Sequence, residues 1–411
     1  MKSSRTLIAL VVAEVVSSTG TAMTFVALPW FVLVTSGSAS RMSVVLAVEI
    51  APMALLGIPS GSLIGRLGAR TTLLLSDLLR APLIALVPLL HWTGHLSFGL
   101  LLAIVFLVGT FTAPYFASQR VIIPELFGDD ETTVGKASGL FGGATQLTLV
   151  IGPAFAGALV ASIGAAGVLV VDGATYLFAF ACVFLLVRGG QRQPADEDAR
   201  GVFAGIRYLA RDRLLGPMTV TIIVLDGASG AIAVAVPLLA FTRYHRDPHI
   251  AGWLFTGFGV GAVIGSLAVI KLLDRFPPLR LASVAIVLAT LPLWVIAVNI
   301  PWPAACAAVV VCGFFVPMVN APVMGMLSTR PPVALRAKVM TAVLTASGLG
   351  SPVGRLVVGP VFRSTGNEGV WLAISGGLSV GAVLWIVAAA RGSAAEAAGL
   401  VGIPPVPDGE P

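Results

Sequence analysis

Residues 215–241 read LGPMTVTIIVLDGASGAIAVAVPLLAF, and this stretch decides the fold. Its only charged side chain is that of Asp226. As an α-helix it would be about 40 Å long, because each residue adds about 1.5 Å. The hydrocarbon core of a bilayer is about 30 Å thick, so the segment is long enough to cross it. Backbone groups inside lipid must pair within their own segment, and the run therefore predicts a transmembrane helix.

The rest of the chain has the same character. Hydrophobic residues make up 57% of the 411 residues and charged residues only 11%, whereas soluble domains carry about 25% charged residues. We therefore predict an all-α membrane protein with twelve transmembrane helices in a lipid bilayer. The twelve apolar runs, numbered spans 1 to 12, are 7–34, 42–65, 71–91, 97–118, 134–160, 165–187, 215–241, 251–272, 279–299, 303–326, 338–362 and 370–390.

The formal charge of +6 is distributed as membrane topology requires. If the N-terminus is cytoplasmic, most Lys and Arg residues fall on inner loops and tails. The exceptions are Arg41, Arg243, Arg246 and Arg363 on outer loops and Arg80 and Arg355 within spans. This positive-inside pattern predicts that both termini are cytoplasmic. We expect a multi-pass protein of a bacterial inner (plasma) membrane, and no binding of nucleic acid.

The two halves of the chain resemble each other at an offset of about 208 residues. Val26–Pro29 matches Val234–Pro237, Ala113-Pro114 matches Ala321-Pro322, and Ile151–Pro153 matches Val358–Pro360. Such repeats predict two parallel six-helix bundles with the substrate bound between them. We divide the chain into an N-terminal bundle (1–187), a cytoplasmic central loop (188–214), a C-terminal bundle (215–391) and a disordered cytoplasmic tail (392–411). Within the loop, residues 201–213 could form an amphipathic helix.

Three motifs resemble those of the major facilitator superfamily. The loop between spans 2 and 3 reads GSLIGRLGAR from Gly61 to Arg70, close to the family signature G-x-L-A-D-R-x-G-R-R. It continues into SDLLRA, and span 5 carries GPAFAG, similar to an antiporter element. The sequence resembles the macrolide-efflux-type drug exporters of this superfamily over residues 6–390. The motif residues are Gly61, Arg66, Gly68, Arg70, Asp77, Arg80, Asp274 and Arg275 at the inner loops and Gly152, Pro153 and Gly157 in span 5.

The resemblance implies a secondary transporter that works by alternating access. It implies proton-coupled export of small amphipathic molecules, such as drugs or antibiotics, by a monomer that needs no cofactor. At two charged positions of the signature, Gly65 stands in place of its Asp and Ala69 in place of its first paired Arg. The acidic–basic pair recurs in the second half as Asp274-Arg275. In the family this Asp helps to hold the inner face closed, so here that role would depend on the second half.

Other functions remain open in part. An ATP-driven pump needs a Gly-x4-Gly-Lys-Ser/Thr loop, and none of Lys2, Lys136, Lys271 and Lys338 lies in one, so we expect no ATP. An enzyme would need clustered catalytic groups or metal ligands, but the four histidines fall at outer loops, and we predict neither an enzyme nor a metal site. Export or flipping of one lipid, siderophore or metabolite, or uptake of a nutrient, fits the repeat and the charges equally well.

Ionisable side chains within spans are expected to have a structural or functional role, because placing each in the membrane costs at least about 2.5 kcal/mol on insertion scales. The seven that lie at least six residues from either end of a span are Glu14, Glu49, Asp77, Arg80, Asp172, Asp226 and Arg355. Asp77 and Arg80 have i, i+3 spacing, which predicts a structural ion pair near the inner surface. Asp172 lies near the predicted outer start of span 6, where a helix N-terminus favours negative charge.

Glu14 and Asp226 lie in spans 1 and 7, which are equivalent in the repeat and line the cavity in the family. Neither has a basic neighbour in the sequence. A carboxyl group without a counter-charge in a low-dielectric environment takes up a proton readily. We therefore predict that these two residues couple transport to protons or bind the substrate. The alternative is a carboxyl group hydrogen-bonded to Ser, Thr or backbone within its bundle.

Glu49 and Arg355 each lie about 10 Å beneath the outer boundary if every helical residue adds about 1.5 Å. In the family, spans 2 and 11 face each other across the two halves. We predict an outer-gate salt bridge that is formed when the cavity opens inward and broken when it opens outward. Alternatively, each charge lines the cavity alone or pairs within its own half.

Spans 1, 4 and 10 are cavity helices in the family, and their aromatic residues and methionines would give an adaptable apolar surface. The candidates for this surface are Phe25, Trp30, Phe111, Tyr115, Phe314, Phe315, Met318, Asn320 and Met324. Glycines repeat every four residues in span 2, from Gly57 to Gly65, and in span 8, from Gly257 to Gly265. This spacing permits close helix packing, which we expect at the seam between the halves.

Overall fold

The computed structural model describes residues 2–127, 131–187, 200–212 and 214–397, which are helical apart from short turns. Spans 1 to 4 lie in Lys2–Ser36, Ala39–Leu67, Ala69–Trp92 and Phe98–Phe127. Glu131–Leu186 contains spans 5 and 6, and Arg200–Arg211 is the linker helix. Spans 7 to 10 lie in Leu215–Thr242, Pro248–Leu273, Pro278–Ala297 and Trp302–Thr329. Val333–Ser347 and Gly350–Ala397 contain spans 11 and 12.

Twelve membrane crossings follow from these helices. Within the described residues, nine helices are long and apolar enough to cross a membrane. Two of them are long enough for two crossings each and turn sharply, one at Gly164 and one at Gly366. Both glycines have φ near +70° (+75° and +68°), a left-handed conformation that costs glycine little. Together with Ala39–Leu67, these helices confirm the predicted all-α membrane fold.

The helices pack in two groups. Spans 1–6 contact one another, as do spans 7–12, and repeat-equivalent pairs make equivalent contacts: span 1 packs along spans 5 and 6, and span 7 along spans 11 and 12. Between the groups, span 5 packs on span 8 and span 11 on span 2. Residues 188–199 of the central loop and the tail from residue 398 lie outside the described residues. The predicted domain division stays a prediction.

The two ends of this bundle differ. We call the end with the linker helix the linker end, and the end with the turns at Gly37 and Gly164 the far end. At the far end the two groups touch: Gly157 of span 5 lies against Gly252 of span 8, and Gly359 of span 11 lies against Ser40 of span 2. A Cβ atom on any of these glycines would collide with the facing backbone or side chain. The far end is therefore closed.

Span 11 differs from the prediction of one continuous helix over 338–362. The structure ends a helix at Ser347 and begins another at Gly350, with a two-residue turn between them. The turn includes Gly348, and glycine is among the least favourable residues for a helix interior. The interruption lies beside the candidate site described below.

The glycine-rich face of span 8 also differs from expectation. Gly261 and Gly265 pack tightly, as their spacing predicts, but against the backbone of Val310 and Phe314 in span 10 of the same half. They do not lie at the seam between the halves. The seam uses Gly157 and Gly252 instead, so spacing identified close packing but not its partner. Gly57 and Gly61 of span 2 lie in a helix, and their surroundings fall outside the described part of the chain.

The linker helix forms where an amphipathic helix was predicted. It begins at Arg200 and ends at Arg211, and its Leu209 is buried with residues of the C-terminal half. Gly205 approaches the backbone of Lys338 so closely that a Cβ atom there would collide with it. The linker helix is therefore held against the first helix of span 11.

Candidate functional site

A cavity of about 420 Å³ lies among spans 7, 8, 9 and 10, bounded by Phe25 of span 1 and Trp385 of span 12. Most of its lining side chains are aliphatic or aromatic. Asp226 is the one charged side chain among the residues that line it, and Thr290 and Asn320 are among the few polar ones. An apolar cavity with a few polar groups is typical of sites for small molecules.

The residues predicted to face the cavity divide into two sets. Phe25, Asn320 and Met324 line it. The others are not among its lining residues. Trp30 packs edge-on against Phe241 at the far end, and Met318 is buried in a cluster with Phe314 and Phe315. Tyr115 belongs to the polar cluster described below, and Phe111 is half-buried in span 4. These spans are apolar on every face, so no periodicity in the sequence distinguishes the cavity side.

Asp226 connects the cavity to the interruption in span 11. Its Oδ2 accepts a hydrogen bond of 3.1 Å from the backbone N–H of Ser351, in the first turn of the helix that begins at Gly350. The guanidinium group of Arg355 lies close enough for its charge to act on this carboxyl group. Asp226 is thus in contact with span 11, which the sequence alone did not indicate.

Glu49 and Arg355 meet across the two halves of the protein. Arg355 Nη1 lies 3.5 Å from Glu49 Oε2 and donates a 2.9 Å hydrogen bond to the carbonyl oxygen of Leu46. Arg355 is buried, and Glu49 is about three-quarters buried. Counting residues from the membrane boundary placed both at one depth, and the structure brings them together. Their role as a gate stays a prediction.

Glu14 lies inside the N-terminal half, only 4% exposed. Its carboxylate accepts hydrogen bonds from Ser18 Oγ, from Tyr115 Oη at 3.0 Å and from Gln119 Nε2 at 2.5 Å. Span 1 supplies Ser18, whereas Tyr115 and Gln119 come from span 4. Glu14 therefore has hydrogen-bond donors on two helices: Ser18 is of the type named in the alternative, whereas Tyr115 and Gln119 are not, and the coupling role of Glu14 stays a prediction.

Arg80 is at the centre of the same region and is fully buried. It forms an ion pair with Asp77 at 2.5 Å, so the predicted contact is present. The guanidinium carbon lies 3.9 Å from the ring centre of Tyr115 and 4.3 Å from that of Tyr176. Cation–π contacts of desolvated groups can contribute about 2 kcal/mol or more. The pair is therefore buried among spans 3, 4 and 6, and its depth relative to the inner surface stays a prediction.

Asp172 requires a correction. The sequence placed it near a helix N-terminus, but the structure places it eight residues after the turn at Gly164, with 0% exposure. Its Oδ2 accepts a 2.6 Å hydrogen bond from Thr24 Oγ1 of span 1, and its Oδ1 one of 3.2 Å from Thr175. The prediction was wrong because the turn between spans 5 and 6 lies farther from Asp172 than the helix-end effect reaches. We call Glu14, Asp77, Arg80 and Asp172 the N-half charge cluster.

The signature loop between spans 2 and 3 binds helix ends. Gly68 has φ +81° at the turn, and Arg70 donates to the carbonyl oxygens of Val187 and Phe184 at the end of span 6. Glu125 of span 4 accepts from the backbone N–H of Ala69, at the start of span 3. Sequence reasoning missed Glu125, because only the fold brings the end of span 4 to this turn.

The other signature residues lie at the linker end. Arg66, Asp274 and Arg275 are exposed there, and their role in closing that end stays a prediction. The surroundings of Gly61 fall outside the described residues.

The span 5 element lies at two helix contacts. Gly152 packs against Ala22 of span 1, and Gly157 packs against Pro248 and Gly252 of span 8. A Cβ atom on Gly252 would meet the carbonyl oxygen of Pro153. The element thus forms part of the closed far end.

Comparison with known families decides the class of this protein. The family model described as transmembrane secretion effector, of the major facilitator superfamily, matches residues 3–398. The chain belongs to this family. Members of the superfamily are transporters, so this chain is a membrane transporter of small molecules and not an enzyme.

Relatives of this chain are similar to it over most of their length. The multidrug efflux pump Tap of Mycolicibacterium fortuitum is 24% identical over 386 residues, which cover 90% of this chain and 92% of Tap. Tap of Mycobacterium tuberculosis is also 24% identical, over 378 residues and 88% of each chain. YvqJ of Bacillus subtilis, an uncharacterised transporter of the major facilitator type, is 20% identical over 385 residues, which cover 92% of this chain and 89% of that one.

Solved structures share the fold at low sequence identity. The nucleoside transporter NupG has a TM-score of 0.76 at 13% identity, covering 93% of this chain and 98% of NupG. A bacterial homologue of the lysosomal transporter Spinster has a TM-score of 0.73 at 17% identity, covering 97% and 98%. The chain therefore has the fold of the major facilitator superfamily.

Proposed function

We propose that this chain exports small amphipathic molecules, including drugs, in exchange for protons by alternating access. The observation that carries the proposal is the cavity among spans 7, 8, 9 and 10, which is apolar except for a few polar groups and one carboxyl group, Asp226. Such a surface accepts amphipathic ligands of varied shape. The names of the Tap relatives support drugs as substrates and export as the direction.

Alternating access requires that the two halves make contact at only one end of the protein at a time. In this structure the far end is closed by Gly157 against Gly252, and by Arg355 against Glu49 and Leu46. The linker end would be cytoplasmic, because the basic residues collect there. On this basis we propose that the far-end contacts belong to an inward-facing state, and that the chain works as a monomer in a bacterial plasma membrane, with both termini cytoplasmic and no requirement for ATP.

Proton coupling is supported by the balance of positive and negative groups in the N-half charge cluster. Glu14, Asp77 and Asp172 are each at most 4% exposed, and among the described residues of this half Arg80 is the buried cation, paired directly with Asp77. One guanidinium can balance one carboxylate, so full ionisation would leave two uncompensated negative charges in a dry interior. A buried carboxyl group without a counter-charge takes up a proton instead. We assign the transported proton to Glu14, because Asp77 pairs directly with Arg80.

The experiment that tests this function measures the accumulation of amphipathic fluorescent drugs in efflux-deficient bacteria that express the chain. We expect lower accumulation than in cells with an empty vector, and we expect a protonophore to abolish the difference. Lower accumulation that persists with the protonophore would contradict proton coupling. Unchanged accumulation across the panel would contradict multidrug export and point to one lipid, siderophore or metabolite as the substrate.

The Glu49–Arg355 contact gives a second prediction. The single variants Glu49→Arg and Arg355→Glu place like charges where the two side chains now lie 3.5 Å apart. Like charges at about 4 Å repel by about 4 kcal/mol at an effective dielectric constant near 20. We expect each single variant to lose export and the double variant to regain it. Transport assays on membrane fractions with equal expression test this, and a double variant as inactive as the single ones would rule out direct pairing.

A further inference from the structure

The helix that begins at Gly350 has its first turn directly beside span 7. The first N–H groups of a helix have no partner within the helix. One of them, that of Ser351, donates to Asp226 Oδ2 at 3.1 Å. Asp226 therefore binds the start of this helix from a neighbouring span, and it does so from the wall of the cavity.

Spans 7 and 11 are in backbone contact at this point. A Cβ atom on Gly350 would collide with the carbonyl oxygen of Ile223, one on Gly354 with that of Gly227, and one on Gly230 with that of Ser351. Close packing of this kind leaves no room for the helix start to move independently of span 7. A change in the charge of Asp226 therefore acts directly on the helix that begins at Gly350.

Arg355 lies one turn beyond Ser351 on the same helix, so the two residues share a face. Its guanidinium group contacts Glu49 and Leu46 of span 2, in the other half of the protein. One short stretch of helix thus joins a cavity residue to the contact that closes the far end.

Two carboxyl groups share this one cation. Arg355 Nη1 lies 3.5 Å from Glu49 Oε2, and Asp226 binds the same helix one turn earlier, at Ser351, where the charge of Arg355 acts on it. Of the described elements around Asp226, span 11 contributes Arg355 and span 2 contributes Glu49 behind it. The cavity-lining side chains of spans 1, 8, 9, 10 and 12 carry no charge, and the thiol of Cys312 in span 10 is the titratable group among them. When both carboxyl groups are ionised, one cation faces two negative charges in a partly buried region.

We propose that Asp226 is a positioning residue that links the cavity to the far-end contact through the interrupted span 11. When Asp226 is neutral, Arg355 is balanced by Glu49 alone and the far end stays closed. When Asp226 is ionised, it competes with Glu49 for Arg355, which weakens the contact between the halves and favours opening of the far end. The proposal rests on alternating access from the proposed function, but not on export or on any particular substrate.

The test measures the distance across the far end in the full chain. Cys182, Cys306 and Cys312 are replaced by alanine, and spin labels are attached through His95→Cys and Asn299→Cys, two exposed sites on opposite halves. Pulsed electron paramagnetic resonance in lipid nanodiscs then gives the populations with short and long distances in acidic and alkaline buffer. We expect the long-distance population of this parent to rise with pH.

The variants separate charge from hydrogen bonding. Asp226→Asn keeps an oxygen that can accept from Ser351 but removes the charge, so we expect a closed far end and loss of the pH response. Asp226→Glu keeps the charge and should keep the response. Glu49→Gln removes the competing partner and should open the far end throughout. Glu368→Gln, an exposed carboxylate on the same half, is the matched control and should behave as the parent.

A pH response in Asp226→Asn equal to that of the parent would overturn the proposal, and so would loss of the response in Asp226→Glu. An equal shift in Glu368→Gln would do the same, because it would show a general effect of surface charge. No substrate is needed for these measurements, whereas the accumulation assay needs one. Failure of the positioning role can therefore be distinguished from failure of the export function.

Discussion

Arg80→Met is expected to be among the most destabilising single substitutions in the described part of this protein. The guanidinium group is fully buried, paired with Asp77 and stacked between the rings of Tyr115 and Tyr176. Removing one member of a buried ion pair typically costs about 3–5 kcal/mol, because the remaining charge has no partner. Thermal unfolding of the purified protein in detergent would show the loss as a lower midpoint.

Three further variants make this prediction specific. Arg363→Met removes an exposed arginine and should leave the unfolding midpoint unchanged. Adding Asp77→Leu to Arg80→Met should recover part of the loss, because the uncompensated charge is removed with its partner. Arg80→Lys should be intermediate, since an ammonium group does not stack between two rings as a planar guanidinium does. A midpoint for Arg80→Met equal to that of Arg363→Met would contradict the role of Arg80 in the cluster.

Glu14→Gln is expected to have the largest effect on proton-driven export with little effect on folding. A glutamine at this position can still accept hydrogen bonds from Tyr115 and Ser18, but it cannot release a proton. Coupling free energies between two ligands commonly correspond to factors of about 5 to 150. We expect the rate of export driven by a proton gradient to decrease by a factor within this range, as measured by drug uptake into inverted membrane vesicles.

A second readout distinguishes lost coupling from lost binding. Exchange of labelled for unlabelled drug across the vesicle membrane, without a proton gradient, should persist in Glu14→Gln. Glu368→Gln serves as the control, because it changes an exposed carboxylate at the far end in the same way. Full gradient-driven export by Glu14→Gln would remove Glu14 from the coupling mechanism, and loss of exchange would assign it to substrate binding instead.

The two ion pairs show how far sequence reasoning reaches inside a membrane. Asp77 and Arg80 are three residues apart on one helix, so helix geometry alone places them together. Glu49 and Arg355 are 306 positions apart, yet both could be assigned a depth, because a spanning helix has a known rise per residue and known ends. The facing of spans 2 and 11 came from the family resemblance, and the contact of 3.5 Å agrees with it.

The partners of Glu14 and Asp226 could not be found in this way. Tyr115 and Gln119 lie 101 and 105 positions from Glu14, and Ser351 lies 125 positions from Asp226. Depth alone leaves many helices and many faces as possible neighbours. Both carboxyl groups were singled out because a charge in an apolar span is costly, but their neighbours depend on how the helices rotate and pack.

The amino-acid sequence by itself determined that lipid surrounds this protein, that its spans are helices, and that they repeat in two halves. These properties are local, because an apolar run must satisfy its backbone hydrogen bonds within its own segment. Only the tertiary structure decided that Asp172 faces Thr24, that Gly261 packs within its own half, and that span 11 breaks beside Asp226. Side-chain contacts between spans depend on helix rotation and on close packing, and an apolar helix that is hydrophobic all round carries no periodic signal for either.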